Sequence, residues 1–210
     1  MIRLTVVLAS LLTALLSAAP ASAQSPLYAC GTPCALPLVE YAHIGSGHYF
    51  ITSSPDDIQA LDSGSIPGWV RTGEPSNAWA WMSGSDYYWS DSQAGLPLPV
   101  CRFFIPPDSH FLSASAQECD VVAATHPEFV LETRAAFYAW LPSAAGVCPV
   151  DNLNLPFNYD LIPMYRLWNG RADTNHRYVT SKEARDAMIA QGWIAEGYGA
   201  DPVAMCVIGP

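Results

Sequence analysis

The chain has 210 residues, 19 of them acidic and 9 basic, for a formal net charge of −10. Half of it is hydrophobic and only 13% is charged, which excludes a disordered polyelectrolyte. Lys182 is the single lysine, so the clustered cations that a phosphate backbone requires are missing and no nucleic-acid partner is expected.

In chain order, the first element is a targeting segment. Arg3, the apolar run from Leu4 to Leu16 and the small residues Ala21-Ser22-Ala23 have the layout of a secretory signal peptide over residues 1–23. Residues 24–35 form an N-terminal segment, and 36–210 are read as one domain. No later stretch is long and apolar enough for a membrane helix, so no span is expected after leader cleavage. All six cysteines follow the leader, and an even count in an exported chain predicts disulfides.

Three stretches then share one layout, at about 37–82, 98–141 and 162–207. Pro37 to Tyr41, Pro99 to Phe104 and Pro163 to Trp168 are apolar and aromatic and predict first strands. Polar turns lead to runs headed by His48, His110 and His176, which predict the second strands of hairpins. Ser53 or Ser54, Ser115 and Ser181 follow as helix N-caps, with acidic residues in the first turn where the helix dipole favours them. Ser115 to Glu118 fits a capping box. Trp69, Phe129 and Trp193 open third strands, and fourth strands are predicted at Trp79–Trp81, Phe137–Trp140 and Val203–Val207. The expected fold class is α+β and β-rich, one domain of three pseudo-symmetric β-β-α-β repeats. One such unit cannot bury both sheet faces, so three must close or stack. A β-trefoil-like fold, which has three units but no helix in each, is the alternative.

The runs Val39-Glu-Tyr with His48-Tyr-Phe, Gly68-Trp-Val-Arg-Thr-Gly73, Cys101-Arg-Phe-Phe with His110-Phe, and Tyr165-Arg-Leu-Trp-Asn with Gly192-Trp-Ile-Ala-Glu-Gly-Tyr198 carry a resemblance. Together they resemble an uncharacterised bacterial secreted or cell-envelope repeat family, from about Pro37 to Cys206. Gly47 departs from its pattern, since Asp commonly precedes the first His. The resemblance carries no activity; it implies display in the envelope or outside the cell.

Several residues are candidates for chemistry. His48, His110 and His176 are read as one repeated position. Three neutral imidazoles could hold zinc with an open position, but a bond fixing each hairpin is the simpler expectation. Neither metal nor cofactor is predicted. Arg102 and Glu132 recur as Arg166 and Glu196, and Glu40 and Thr72 replace both together. Joint presence and joint loss predict a structural Arg–Glu pair between first and third strands. Trp79, Trp81, Tyr87, Tyr88 and Trp89 lie within one short stretch among Ser, Gly and Asp, as in a platform that stacks sugar rings. An ordinary hairpin with one buried face also accounts for it.

Neither a G-x-S-x-G nor an H-E-x-x-H motif occurs. Asp86 and Asp91 flank the aromatic stretch as a carboxylate pair that a glycosidase could use. The local pairing of cysteines is Cys101–Cys119, Cys148–Cys206 and, by remainder, Cys30–Cys34, ranked first among the connectivities that six cysteines allow. The reading is an exported, non-enzymatic binding or display module, periplasmic or extracellular, for a glycan or another envelope component. A secreted hydrolase using the repeated His or Asp86 and Asp91, and a purely structural module, are the alternatives. Net charge further predicts that mild acid relieves self-repulsion.

Overall fold

The computed structural model describes residues 35–75, 78–81, 97–149 and 160–209. It is β-rich and antiparallel, with three helices. A short strand, β1 (Ala35–Pro37), leads into the run β2 (Val39–His43), β3 (Tyr49–Thr52), α1 (Pro55–Asp62) and β4 (Trp69–Arg71). After β5 (Trp79–Trp81) comes a second run: β6 (Leu98–Ile105), β7 (Ser109–Ser113), α2 (Ala116–Thr125) and β8 (Val130–Ala139). The third run is β9 (Leu161–Trp168), β10 (His176–Val179), α3 (Lys182–Ala190) and β11 (Ile194–Glu196), followed by β12 (Val203–Ile208).

The order strand, strand, helix, strand therefore occurs three times. One expected detail differs. Phe137–Trp140 is not a separate fourth strand, because β8 runs unbroken to Ala139. Its sequence Val-Leu-Glu-Thr-Arg-Ala-Ala-Phe-Tyr-Ala holds neither Gly nor Pro to interrupt it. The adjustment is made in its pairing with β6 instead, where the register shifts on both sides of Arg102.

One sheet has the order β10-β9-β12-β5-β8-β6-β7, with β1 on β5 and β11 on β9. The strands β3-β2-β4 form a second sheet, and neither sheet closes into a barrel. β3, β7 and β10 pack on one another, which brings Ile51, Leu112 and Tyr178 into a common core. Tyr178 ties that core together: its hydroxyl donates to the Leu112 carbonyl and accepts from the Leu112 N–H. Ala80, Val100, Phe137, Met164 and Met205 fill the same core, each full burial of a large apolar side chain contributing about 1.5–3 kcal/mol. β12 is buried along its whole length, as its unbroken apolar sequence requires.

Each helix starts on a serine. The hydroxyls of Ser54, Ser115 and Ser181 accept from the N–H groups of Asp57, Glu118 and Ala184 at 3.3, 3.2 and 3.1 Å. Ser54, not Ser53, is thus the first cap. Cys101 on β6 is bonded to Cys119 on α2, and Cys148 to Cys206 on β12, with S–S distances of 2.05 and 1.99 Å. Cys30, Cys34 and the leader lie outside the described residues.

Candidate functional site

Strand pairing sets Glu40 opposite Ile51, Arg102 opposite Leu112 and Arg166 opposite Tyr178. Two residues before those partners stand Tyr49, His110 and His176. Each also lies five residues ahead of a capping serine. His48 is therefore one place out of step, and Tyr49 takes the position that His110 and His176 hold. Pairing geometry sets the register, and residue identity alone mistakes it by one.

The charged side chains link the three runs. Arg102 donates through Nε to Glu132 at 2.7 Å and through Nη1 to Asp57, on α1, at 2.5 Å. Its guanidinium also lies 5.3 Å from the Phe50 ring centroid. Arg166 donates through Nε to Glu196 at 2.9 Å and through Nη1 and Nη2 to Glu118, on α2, at 3.0 and 2.7 Å. It lies 4.5 Å from the Phe111 ring. In the first run Glu40 stands where those arginines stand, and the charges invert. Thr72 donates to Glu40 at 2.6 Å, and Arg177 of β10 donates to it twice at 3.0 Å. Arg177 follows His176 as Phe111 follows His110, and the third helix carries Ala184 where the others carry Asp57 and Glu118. Arg71 takes no part in this: it bonds Asp62, which also accepts from Tyr41. Burial and that Asp62 bond push the Tyr41 hydroxyl up to about 12.

His48, His110 and His176 each meet a different carboxylate. His110 Nε2 is 3.4 Å from Glu132, and His176 Nε2 is 3.5 Å from Glu196. His48 Nδ1 is 2.6 Å from Asp108, which also holds His43 at 2.9 Å and accepts from the Ser46 hydroxyl at 2.7 Å. Neither His48 ring nitrogen makes an aligned hydrogen bond. Among the described residues no three His, Cys, Asp or Glu side chains gather as a metal ion would need.

Burial pushes the Glu132 and Glu196 carboxyls up, but His110 and Arg102, and His176 and Arg166, outweigh it and hold both below the usual range. Burial likewise raises Glu118, and the Arg166 hydrogen bonds and charge overcome it. His176 goes the other way: burial depresses it, and the Glu196 contact does not compensate. Arg166 already supplies Glu196 with a counter-charge, so His176 stays neutral at pH 7.

Beside the Glu40–Arg177 pair lies a cavity of about 360 Å³. Tyr49 and Trp193 stand in its wall as an edge-to-face pair, 6.2 Å between centroids. Asn175, Gln191, Arg171 and Arg177 add polar groups. Ala184 and Ala187 on α3 leave the space open where longer side chains would fill it. Asn175 is fixed by accepting from the Tyr49 N–H at 3.0 Å. A second cavity of about 340 Å³ includes Glu118, Arg166 and Tyr198 in its wall.

A family model described as a domain of unknown function, DUF5648, matches residues 155–202, under a quarter of the chain. That segment holds β9, β10, α3 and β11, and with them Arg166, His176, Arg177 and Trp193. No curated protein and no solved structure matches the chain.

Of the aromatic stretch, Trp79 packs half-buried against the core beside β12, and Trp81 ends β5. Tyr87, Tyr88, Trp89, Asp86 and Asp91 lie outside the described residues. Sequence reasoning passed over Tyr49, Asn175, Arg177 and Asp108. One signal was available: Glu40 is a lone acid inside an apolar strand, and such a residue needs a cation from elsewhere in the fold.

Proposed function

We propose that the chain is an exported, non-enzymatic binding module built of three pseudo-symmetric units, with a glycan of the bacterial envelope or surroundings as its ligand. The unit reading is supported by three junctions of one design. At the first, Arg102 reaches back to Asp57 and Phe50; at the second, Arg166 reaches back to Glu118 and Phe111. At the third, Glu40 reaches Arg177, and three residues have changed together: the arginine is Glu40, the phenylalanine is Arg177, and the helix acid is Ala184. Export is supported by the leader pattern and by two disulfides, which persist in oxidising compartments.

The observation that carries the binding reading is the cavity at the third junction. It is large enough for a sugar ring and combines aromatic surface with fixed polar groups, the composition of a small-ligand site. The repeated histidines and carboxylates are occupied with one another, as structural latches.

A glycan array probed with the disulfide-intact protein tests this. Hits are expected, and Ala187→Trp, which fills the cavity, should abolish them without changing the circular dichroism spectrum. An array without hits would sink the glycan reading. Binding that survives Ala187→Trp but is lost with Trp81→Ala and Trp89→Ala would move the site to the aromatic stretch.

A further inference from the structure

The wall of the 360 Å³ cavity has an unusual charge for this chain. Acidic residues outnumber basic ones 19 to 9, yet Arg171 and Arg177 line it and no Asp or Glu does, among the described residues. The carboxylates that neutralise these two cations do not line it: Glu40 is buried behind the wall and Asp173 stands at the surface. Glu40, 1% exposed, takes Nε and Nη2 of Arg177. Asp173 takes Nε and Nη2 of Arg171 at 2.8 and 2.6 Å. Arg177 Nη1 is left facing the Met188 sulfur at 3.8 Å, a weak acceptor.

Guanidinium groups donate and never accept. A wall built on two of them offers a ligand N–H donors; the Gln191 amide beside them both donates and accepts, and the Asn175 amide is taken up by the Tyr49 N–H and the Gly47 carbonyl. A neutral sugar needs acceptors for its own hydroxyl protons, and carboxylates are the strongest of these. A ligand bearing a carboxylate suits this wall better, since its oxygens accept charge-assisted bonds from a guanidinium fork. Trp193, with Tyr49, whose ring already carries the Arg177 guanidinium 4.2 Å from its centroid, supplies apolar surface for a ring. Resting on the glycan reading above, we infer that the preferred ligand is an acidic saccharide, a uronic acid or another carboxylated sugar. Its carboxylate meets Arg171 and Arg177 while its ring lies along Tyr49 and Trp193.

The test is calorimetric titration of the protein with a galacturonic acid trisaccharide and with its neutral galactose counterpart. The acidic sugar should bind at least about tenfold tighter, a difference of about 1.4 kcal/mol. That preference should shrink as salt is raised. Arg171→Gln should remove most of it. Arg171 is exposed and bonded to Asp173 at the surface, so the fold should survive the change. Ala187→Trp should abolish binding of both sugars. Equal binding of the two sugars overturns the acidic class and leaves the glycan reading standing. An acidic preference unchanged in Arg171→Gln overturns the assignment to this cavity. Binding of neither sugar overturns this inference, and the array decides the glycan reading separately.

Discussion

Arg166 is heavily committed. Its guanidinium is buried, bonded to Glu118 and Glu196 and to the Leu112 carbonyl, and stacked on Phe111. Replacing it with Met leaves two partly buried carboxylates without their cation, a loss of about 3–5 kcal/mol. The unfolding midpoint in urea measures this, and Glu118→Gln with Glu196→Gln in the same chain should recover part of the loss. Arg102→Met should cost less, since Arg102 is itself less buried than Arg166 and makes one bond to its helix acid where Arg166 makes two. His176 gives a pH dependence of defined sign. Its folded pKa lies below the ordinary 6.5, so the unfolded chain takes up the proton first. Stability is then full above about 6.5 and falls as pH drops through it. Between about pH 7.5 and about 5.5 the melting temperature should fall more in the native chain than in His176→Gln. Equal slopes would remove His176 from the pH response. Glu118, Glu132 and Glu196, all lowered, act further down: their contribution is complete above about 4.5 and is lost as pH falls through their lower folded values.

At the scale of elements, the helices were the most legible feature. A serine followed by acidic residues and then apolar spacing marks a helix start through local hydrogen bonding alone. Ser115→Ala and Ser181→Ala should each cost about 1 kcal/mol, read as a shift in the denaturant midpoint with an unchanged slope. A slope change would mean that the cap also organises structure beyond its helix. The first strands and their hairpin partners were legible for a similar reason, since an apolar run, a polar turn and a second run leave little choice of pairing. The length of β8 was not, and neither was the one-residue offset at Tyr49. Both depend on which strand lies alongside, and that is a long-range matter. The same holds for Asp57, which reads locally as a capping acid and serves also as the partner of Arg102, 45 residues on.

At the scale of the whole molecule, the disulfides and the net charge dominate. Cys148–Cys206 closes 58 residues and clamps β12, while Cys101–Cys119 closes 18 within one run. By loop-closure entropy, removing the first should cost about 4 kcal/mol and the second about 3. Melting of Cys148→Ser with Cys206→Ser against Cys101→Ser with Cys119→Ser measures the order, and a reversal would mean that strain or residual structure outweighs chain entropy. The charge of −10 favours mild acid, the opposite of the His176 effect. The His176→Gln variant separates them, because its melting temperature should hold or rise as pH falls from about 7.5 to about 5.5.

Composition, the pairing of Cys101 with Cys119, the hairpins and the helix caps were set out by the sequence itself. Each rests on neighbours in the chain or on counts, and local physics reads these directly. The sequence also held the clue that Arg and Glu come and go together. What replaced them, and why, was decided only in three dimensions. Glu40 finds its cation 137 residues away on β10, and Ala184 is small where its counterparts are acidic. The opening that results faces Tyr49 and Trp193. No single stretch of chain encodes that cavity, because its walls come from the first run and the third and meet only once the core between them is packed.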